Sequence, residues 1–85
     1  MQQEYLLLQK TLSIVIRKYR GWRSISRLSN EIGLSKSIWS DLENGKKDIQ
    51  LSTFFRIAEA LDIKPSKLLL DIEDILGDDF SFIED

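Results

Sequence analysis

The sequence predicts an all-α fold of five short helices, and three observations support this. Apolar residues recur at spacings of three and four along most of the 85 residues, which is typical of amphipathic helices. Residues that begin or end helices, such as Gly33, Ser35 and Pro65, stand between these stretches. No stretch sustains the alternation of a strand. Since no linker or repeat divides the chain, we expect one small domain with a marginal core.

The first predicted helix runs from about Glu4 to Tyr19. Its inward stripe is formed by Leu8, Leu12, Val15, Ile16 and Tyr19. Leu6, Leu7 and Ile14 lie off this stripe, so they need another partner.

The most informative stretch is residues 28–45, LSNEIGLSKSIWSDLENG. It predicts the end of a second helix, spanning about 24–32, and a third helix spanning about 35–44. Gly33 can end the second helix in a left-handed conformation without steric cost. Ser35 is a good N-cap for the third helix. Two short helices joined at a glycine therefore form the centre of the chain.

Two further helices complete the prediction. The fourth runs from about Leu51 to Leu61, and its inward residues are Phe54, Phe55, Ile57, Ala58 and Leu61. The fifth begins at Pro65, a favoured first-turn residue, and ends near Gly77, a natural C-cap.

The central stretch resembles the Cro/cI-type (Xre family) helix-turn-helix repressor domain, with the pattern L-A-x-x-x-G-[VL]-S-x-x-x-[IV]-S-x-[IL]-E-x-G. The matching residues are Leu28, Gly33, Leu34, Ser35, Ser40, Leu42, Glu43 and Gly45. Ser29 replaces the usual alanine, and Trp39 the usual isoleucine or valine. The resemblance covers roughly residues 8–70 and implies a lambda-repressor-like fold with the helix-turn-helix at helices two and three. In size the chain is most similar to Cro-like repressors and restriction–modification controller proteins.

The resemblance implies that the third helix enters the major groove of DNA. Its outward residues, the candidates for base contact, are Lys36, Ser37, Ile38, Ser40 and Asp41. Lys36 can donate to guanine O6 and N7, Ser37 can pair with either kind of edge, and Ile38 can contact a thymine methyl. Asp41 can accept from the cytosine amine, or it can orient Lys36 or Ser37 instead.

Phosphate contacts are expected on both sides of that helix. The candidates are Arg23, Ser24, Ser26 and Arg27 before it, and Asn44, Lys46 and Lys47 after it. The resemblance also implies a structural ion pair between Arg20 and Glu43, so we interpret Glu43 as scaffold. The chain departs from the family between Arg20 and Leu28, where it is about two residues shorter. Trp22 or Ile25 must therefore fill the apolar slot before the second helix.

Composition and charge narrow the possible functions. The chain has neither cysteine nor histidine, so we expect no disulfide, metal site, cofactor or enzymatic activity. No apolar run is long enough for a membrane span, and we expect a cytoplasmic protein. Residues 1–70 contain twelve basic and seven acidic residues, a net charge of +5, whereas residues 71–85 contain seven acidic residues and no basic one. A net charge of +5 on residues 1–70 is sufficient for contacts with DNA phosphates.

The C-terminal part bears on assembly. We predict a DNA-binding and dimerisation domain over 1–77 and an acidic tail over 78–85. The apolar residues expected at a homodimer interface are Leu68, Leu69, Ile72, Ile75 and Leu76, although they could instead complete the monomer core. We expect a homodimeric, sequence-specific transcriptional regulator on a palindromic operator in double-stranded DNA. The alternative is an antitoxin or anti-repressor-like module that binds a protein partner through its acidic, aromatic tail; otherwise the tail is a solubilising end.

Overall fold

The computed structural model describes residues 2–83 and contains five helices, so the all-α prediction is confirmed. These are α1 (Gln2–Arg20), α2 (Ile25–Glu31), α3 (Lys36–Glu43), α4 (Leu51–Ala60) and α5 (Pro65–Leu76). None of residues 2–83 is in a strand. Within the same range, no helix combines the length and the apolar character needed to cross a membrane.

Local signals account for the ends of the central helices. The side chains of Ser24 and Ser35 accept hydrogen bonds from the backbone N–H groups of Arg27 and Ile38, so they cap α2 and α3. Gly33 has a φ of 64° after α2, a conformation that favours glycine. The turn between the two helices is therefore short and sharply defined.

The core lies where all five helices meet. α1 packs against α3 and α5, α2 packs against α3 and α4, and α4 packs against α5. The largest fully buried apolar side chains are Val15, Ile16, Trp39, Leu42, Ile57 and Leu68. Because every helix except α2 supplies one of them, the position of α3 is determined by the whole domain.

Ser29 lies where the family pattern has alanine, and it is buried between helices. Its hydroxyl donates to the carbonyl oxygen of Ile25 at 2.6 Å, within its own helix. A buried hydroxyl is tolerated when it is hydrogen-bonded. The substitution therefore leaves the contact between α2 and α3 intact.

Phe55 differs from the predicted arrangement of apolar side chains. It was expected to face inward but is 54% exposed, because its neighbour Phe54 already occupies the inward position of α4. Of the two candidates for the apolar slot before α2, Ile25 packs against the core, whereas Trp22 is 92% exposed. Leu6, Leu7 and Ile14 lie off the inward stripe of α1 as predicted, and each is about half exposed.

The predicted dimer surface on α5 is wrong for two of its five residues. Leu68 is fully buried and Ile72 is almost fully buried in the core of the monomer. They lie four residues apart, so they share the helix face that packs against α1 and α4. Leu69 and Ile75 remain half exposed, while Leu76 packs partly against the core. The apolar surface left for another molecule is thus smaller than predicted.

Asp71 joins α5 to α1. Its carboxylate accepts hydrogen bonds from the Lys67 ammonium at 2.7 Å and from the Tyr19 hydroxyl. The Lys67 and Tyr19 bonds hold the pKa of Asp71 below its ordinary value, and the bond to Asp71 raises the pKa of Tyr19. Asp71 is therefore part of the helical domain and not of the acidic tail, although it belongs to the acidic residues of 71–85.

The C-terminal segment folds back onto the start of α1. The Phe82 ring lies 4.8 Å from the Tyr5 ring and 5.3 Å from the Phe80 ring, centroid to centroid. Glu84 and Asp85 of the predicted tail lie outside the described residues. The part from 78 to 83 is thus partly packed against the domain.

Candidate nucleic-acid interface

The helix α3 exposes polar side chains on one side and buries large ones on the other. Lys36 and Ser37 are exposed in its first turn, and Ser40 and Asp41 are half exposed one turn later. At 100° per residue these four positions lie within one arc of the helix. We call Lys36, Ser37, Ser40 and Asp41 the polar face of α3.

Three of the four side chains of the polar face are available for other partners. The hydroxyl of Ser37 lies 3.2 Å from that of Ser35. The side chains of Lys36, Ser40 and Asp41 make no hydrogen bond or ion pair within residues 2–83. The structure therefore shows no contact through which Asp41 would orient Lys36 or Ser37.

Ile38 is not part of this face. It is half-buried against the core, and it lines a cavity of about 200 Å³ together with Leu42, Ile49 and Thr53. The reason is angular, since Ile38 follows Lys36 by 200° around the helix. The predicted thymine contact through Ile38 is corrected accordingly: its side chain supports the loop after α3.

Glu43 anchors the inner side of α3. Its buried carboxylate accepts from Arg20 Nε at 2.5 Å and from Arg20 Nη2 at 2.8 Å. The indole Nε1 of Trp39 donates to the same carboxylate at 2.6 Å. The hydrogen bonds from Arg20 to Glu43 raise the pKa of the Arg20 guanidinium. The arrangement is the bidentate ion pair implied by the resemblance, and it holds α3 against the end of α1.

Arg17 is a further contact to α3 that sequence reasoning missed. Its Nε lies 3.6 Å from Glu43 Oε1, and its Nη2 donates to the Asn44 side-chain oxygen at 3.2 Å. Arg17 precedes Arg20 by about one helical turn, so the two side chains lie on the same side of α1. This spacing could have predicted that Arg17 also reaches Glu43. Asn44, a candidate phosphate contact, is exposed and lies beside a cation.

Arg56 on α4 holds the turn between α2 and α3. Its Nε and Nη2 donate to the carbonyl oxygen of Ile32 at 3.1 and 2.5 Å, and Nη2 also donates to the carbonyl oxygen of Gly33 at 2.8 Å. Carbonyls at a helix end need such donors. The sequence offers one signal for this role of Arg56, because it is a single arginine within the apolar stretch of the fourth helix.

The candidate phosphate contacts fall into two groups that flank α3. Ser24, Ser26 and Arg27 belong to the first turn of α2 and its cap, and all three are exposed. Arg27 lies 3.6 Å from Glu31 on the same helix, in a pair that is largely exposed. A cavity lined by both Arg27 and Lys36 shows that this group adjoins the polar face of α3.

The second group is the loop after α3. Lys46 and Lys47 are exposed, and within residues 2–83 neither side chain has a hydrogen-bond or ion-pair partner. Gly45 has a φ of 66°, and a Cβ there would lie 3.5 Å from the Lys10 Cα. The loop thus turns tightly against α1 before the two lysines.

Arg23 has a different role from the predicted one. Its guanidinium donates to the carbonyl oxygens of Tyr19 and Arg20, and the side chain is half-buried. These bonds cap the last carbonyls of α1, which have no partner within the helix. Arg23 is therefore corrected from a phosphate contact to a cap of α1.

The arrangement can be compared with known protein families. No curated protein sequence is significantly similar to this chain. The sequence profile of the helix-turn-helix domain family matches residues 15–73, which is more than half of the chain and includes all of α2, α3 and α4. Domains of this class bind DNA with the second helix of the motif, here α3. The chain belongs to the helix-turn-helix domain family of DNA-binding proteins.

Proposed function

We propose that the protein is a sequence-specific transcriptional regulator that inserts α3 into the major groove. One observation carries the proposal: the polar face of α3 is exposed, while Trp39, Leu42 and Glu43 fasten the opposite side. A recognition helix needs this division, because base contacts require a helix whose orientation does not change on binding.

Within this proposal the polar face reads base edges. Lys36 donates to guanine, Ser37 and Ser40 pair with adjacent edges, and Asp41 accepts from the cytosine amine. The Asp41 carboxylate makes no ion pair or hydrogen bond within residues 2–83, and this supports its role as an acceptor for the cytosine amine. A carboxylate near phosphates lowers overall affinity, so Asp41 contributes selectivity.

The two flanking groups contact the sugar-phosphate backbone. The proposed contacts are Ser24, Ser26, Arg27, Asn44, Lys46 and Lys47. Because they lie on both sides of α3, they hold the helix in one register along the groove.

The proposed regulator is a homodimer of the Xre type, similar in size to Cro-like and controller proteins. An apolar groove of about 260 Å³, lined by Leu51, Phe54 and Leu69 among others, lies between α1, α4 and α5. Leu69 and Ile75 are half exposed beside the core. We propose that a second copy covers them, because dimeric helix-turn-helix proteins bind two half-sites about 34 Å apart.

The alternative of a tail-mediated protein module has less support. It requires the aromatic residues of the tail to be available, but Phe82 packs on Tyr5 and Phe80 packs on Phe82. We propose operator binding as the activity of this protein, in the cytoplasm and without catalysis, cofactor or metal.

Selection of bound sites from random double-stranded DNA tests the proposal. We expect enrichment of a palindromic sequence whose half-sites are separated by about one helical turn. A pool that stays random after repeated selection would contradict sequence-specific binding. Enrichment of a single, non-repeated half-site would contradict the homodimer.

A further inference from the structure

Trp22 is the most exposed large apolar side chain in residues 2–83. It is 92% exposed, and its indole makes no hydrogen bond or ring contact within that range. The other tryptophan, Trp39, is fully buried and bonded to Glu43. Because Ile25 fills the apolar slot before α2, the fold does not use the indole of Trp22.

The surroundings of Trp22 connect it to the polar face of α3. Trp22 and Arg27 line a surface cavity of about 450 Å³. Arg27 and Lys36 line a second cavity of about 470 Å³. Arg27 lines both cavities, so it lies between the surroundings of Trp22 and those of Lys36, at the beginning of the recognition helix. We call Trp22, Arg27 and Lys36 the strip.

The charge of this strip favours an anionic partner. The Arg27 guanidinium is 78% exposed, and the Lys36 ammonium is exposed without a partner in residues 2–83. The acid in the Trp22 cavity, Glu31, lies within 3.6 Å of Arg27, so its charge is partly compensated. An indole adds an N–H donor and a flat apolar ring to the two cations.

We propose that Trp22 binds the sugar-phosphate backbone of DNA at the outer edge of each half-site. The indole Nε1–H donates to a phosphate oxygen, and the ring packs on the adjoining deoxyribose. The inference rests on the proposed function and extends the interface beyond the helix-turn-helix. A backbone contact carries no base information, so Trp22 contributes to affinity for every sequence.

Tryptophan fluorescence tests this contact directly, because Trp22 and Trp39 differ so strongly in exposure. Acrylamide, a neutral quencher, should quench Trp22 and leave Trp39 largely unquenched. A labelled mixed-sequence duplex of about 30 base pairs is the probe, and its anisotropy at low salt reports binding independently. We expect anisotropy to rise and the quenching of Trp22 to fall severalfold at saturating DNA.

Variants complete the test. Trp22→Ala should weaken binding of the duplex about tenfold, as expected for loss of one hydrogen bond to a charged group. Trp22→Phe keeps a ring without the donor and should bind with intermediate affinity. Ile83→Ala is the matched control, since Ile83 is 81% exposed and lies in the C-terminal segment. Trp39 fluorescence verifies that each variant is folded.

Each result decides the inference. A rise in anisotropy with unchanged quenching, or with wild-type affinity for Trp22→Ala, would overturn the Trp22 contact and leave the proposed function standing. No rise for the wild-type protein would overturn both. Quenching that falls with protein concentration in the absence of DNA would show that a second copy covers Trp22, and this too would overturn the proposal.

Discussion

Arg20 and Glu43 join the end of α1 to the end of α3 through two parallel hydrogen bonds of 2.5 and 2.8 Å. Trp39 Nε1 donates to the same carboxylate, so the inner side of α3 is held by one buried acid. The orientation of the polar face of α3 depends on this contact. Stability and DNA binding are therefore coupled at Glu43.

Replacement of Glu43 by Gln should lower the free energy of unfolding by about 3 kcal/mol, because it removes a buried counter-charge from the half-buried Arg20 guanidinium. Urea unfolding followed by circular dichroism measures this. The matched control is Glu31→Gln, whose exposed pair with Arg27 should contribute less than about 0.5 kcal/mol. Equal effects of the two substitutions would contradict the anchoring role of Glu43.

Replacement of Lys36 by Ala should reduce discrimination between operator and mixed-sequence DNA. A lost contact to a guanine edge costs about 1–3 kcal/mol of discrimination. Competition binding with the selected site and a scrambled duplex measures it, with Lys64→Ala on the α4–α5 connection as control. Preserved discrimination would exclude Lys36 as a base contact.

The double replacement Lys46→Ala/Lys47→Ala should weaken binding to all sequences alike. Each phosphate contact contributes a slope of about −0.9 to the dependence of log affinity on log salt concentration. We therefore expect the slope to become less negative by about 2 units. Anisotropy titrations at several salt concentrations measure the slope, and a change confined to the operator would argue that these lysines read bases.

Replacement of Arg56 by Ala should loosen the turn between α2 and α3. The carbonyl oxygens of Ile32 and Gly33 lose their donor, at a cost of about 1–3 kcal/mol. Hydrogen exchange should accelerate at the backbone amides around Gly33 more than in α5. Uniform acceleration would indicate a general loss of stability instead.

Asp71 should make stability depend on pH in acid. The bonds from Lys67 and Tyr19 hold the pKa of Asp71 below its ordinary value of 3.8. The folded state thus binds the Asp71 proton less readily than the unfolded state does. The stabilisation that the Asp71 carboxylate contributes is therefore fully present above pH 3.8, and it is lost as pH falls through the lower folded-state pKa. Asp71→Asn should lower the melting temperature at neutral pH, and its difference from wild type should narrow in acid. Asp79→Asn is the exposed control, and a difference independent of pH would contradict the assignment.

The two kinds of leucine on α5 should behave differently. Leu69→Glu should yield a monomer that binds the operator weakly and remains folded, since Leu69 is half exposed. Leu68→Ala should instead lower the free energy of unfolding by about 2–5 kcal/mol, because Leu68 is fully buried. Analytical ultracentrifugation and urea unfolding separate the two effects. A dimer that survives Leu69→Glu would place the interface elsewhere.

Much of the fold could be predicted because helices depend on neighbours in sequence. Apolar spacing located all five helices, and Ser35 caps α3 as its position indicated. The polar face of α3 was largely predictable for the same reason, except at Ile38. That residue follows Lys36 by 200° around the helix, outside the arc of the polar face, and its side chain packs towards the loop after α3.

The helix-turn-helix follows from the spacing of residues 28–45 and from the resemblance that they carry. The arginines, by contrast, take roles that depend on how the helices dock, for Arg23 and Arg56 cap helix ends whereas Arg27 stays exposed. Docking also buries one face of α5 and leaves the other exposed, with Leu68 inside and Leu69 outside. Residue spacing defines the faces of a helix. The angle between packed helices, which spacing does not encode, selects the faces and the backbone carbonyls that become covered.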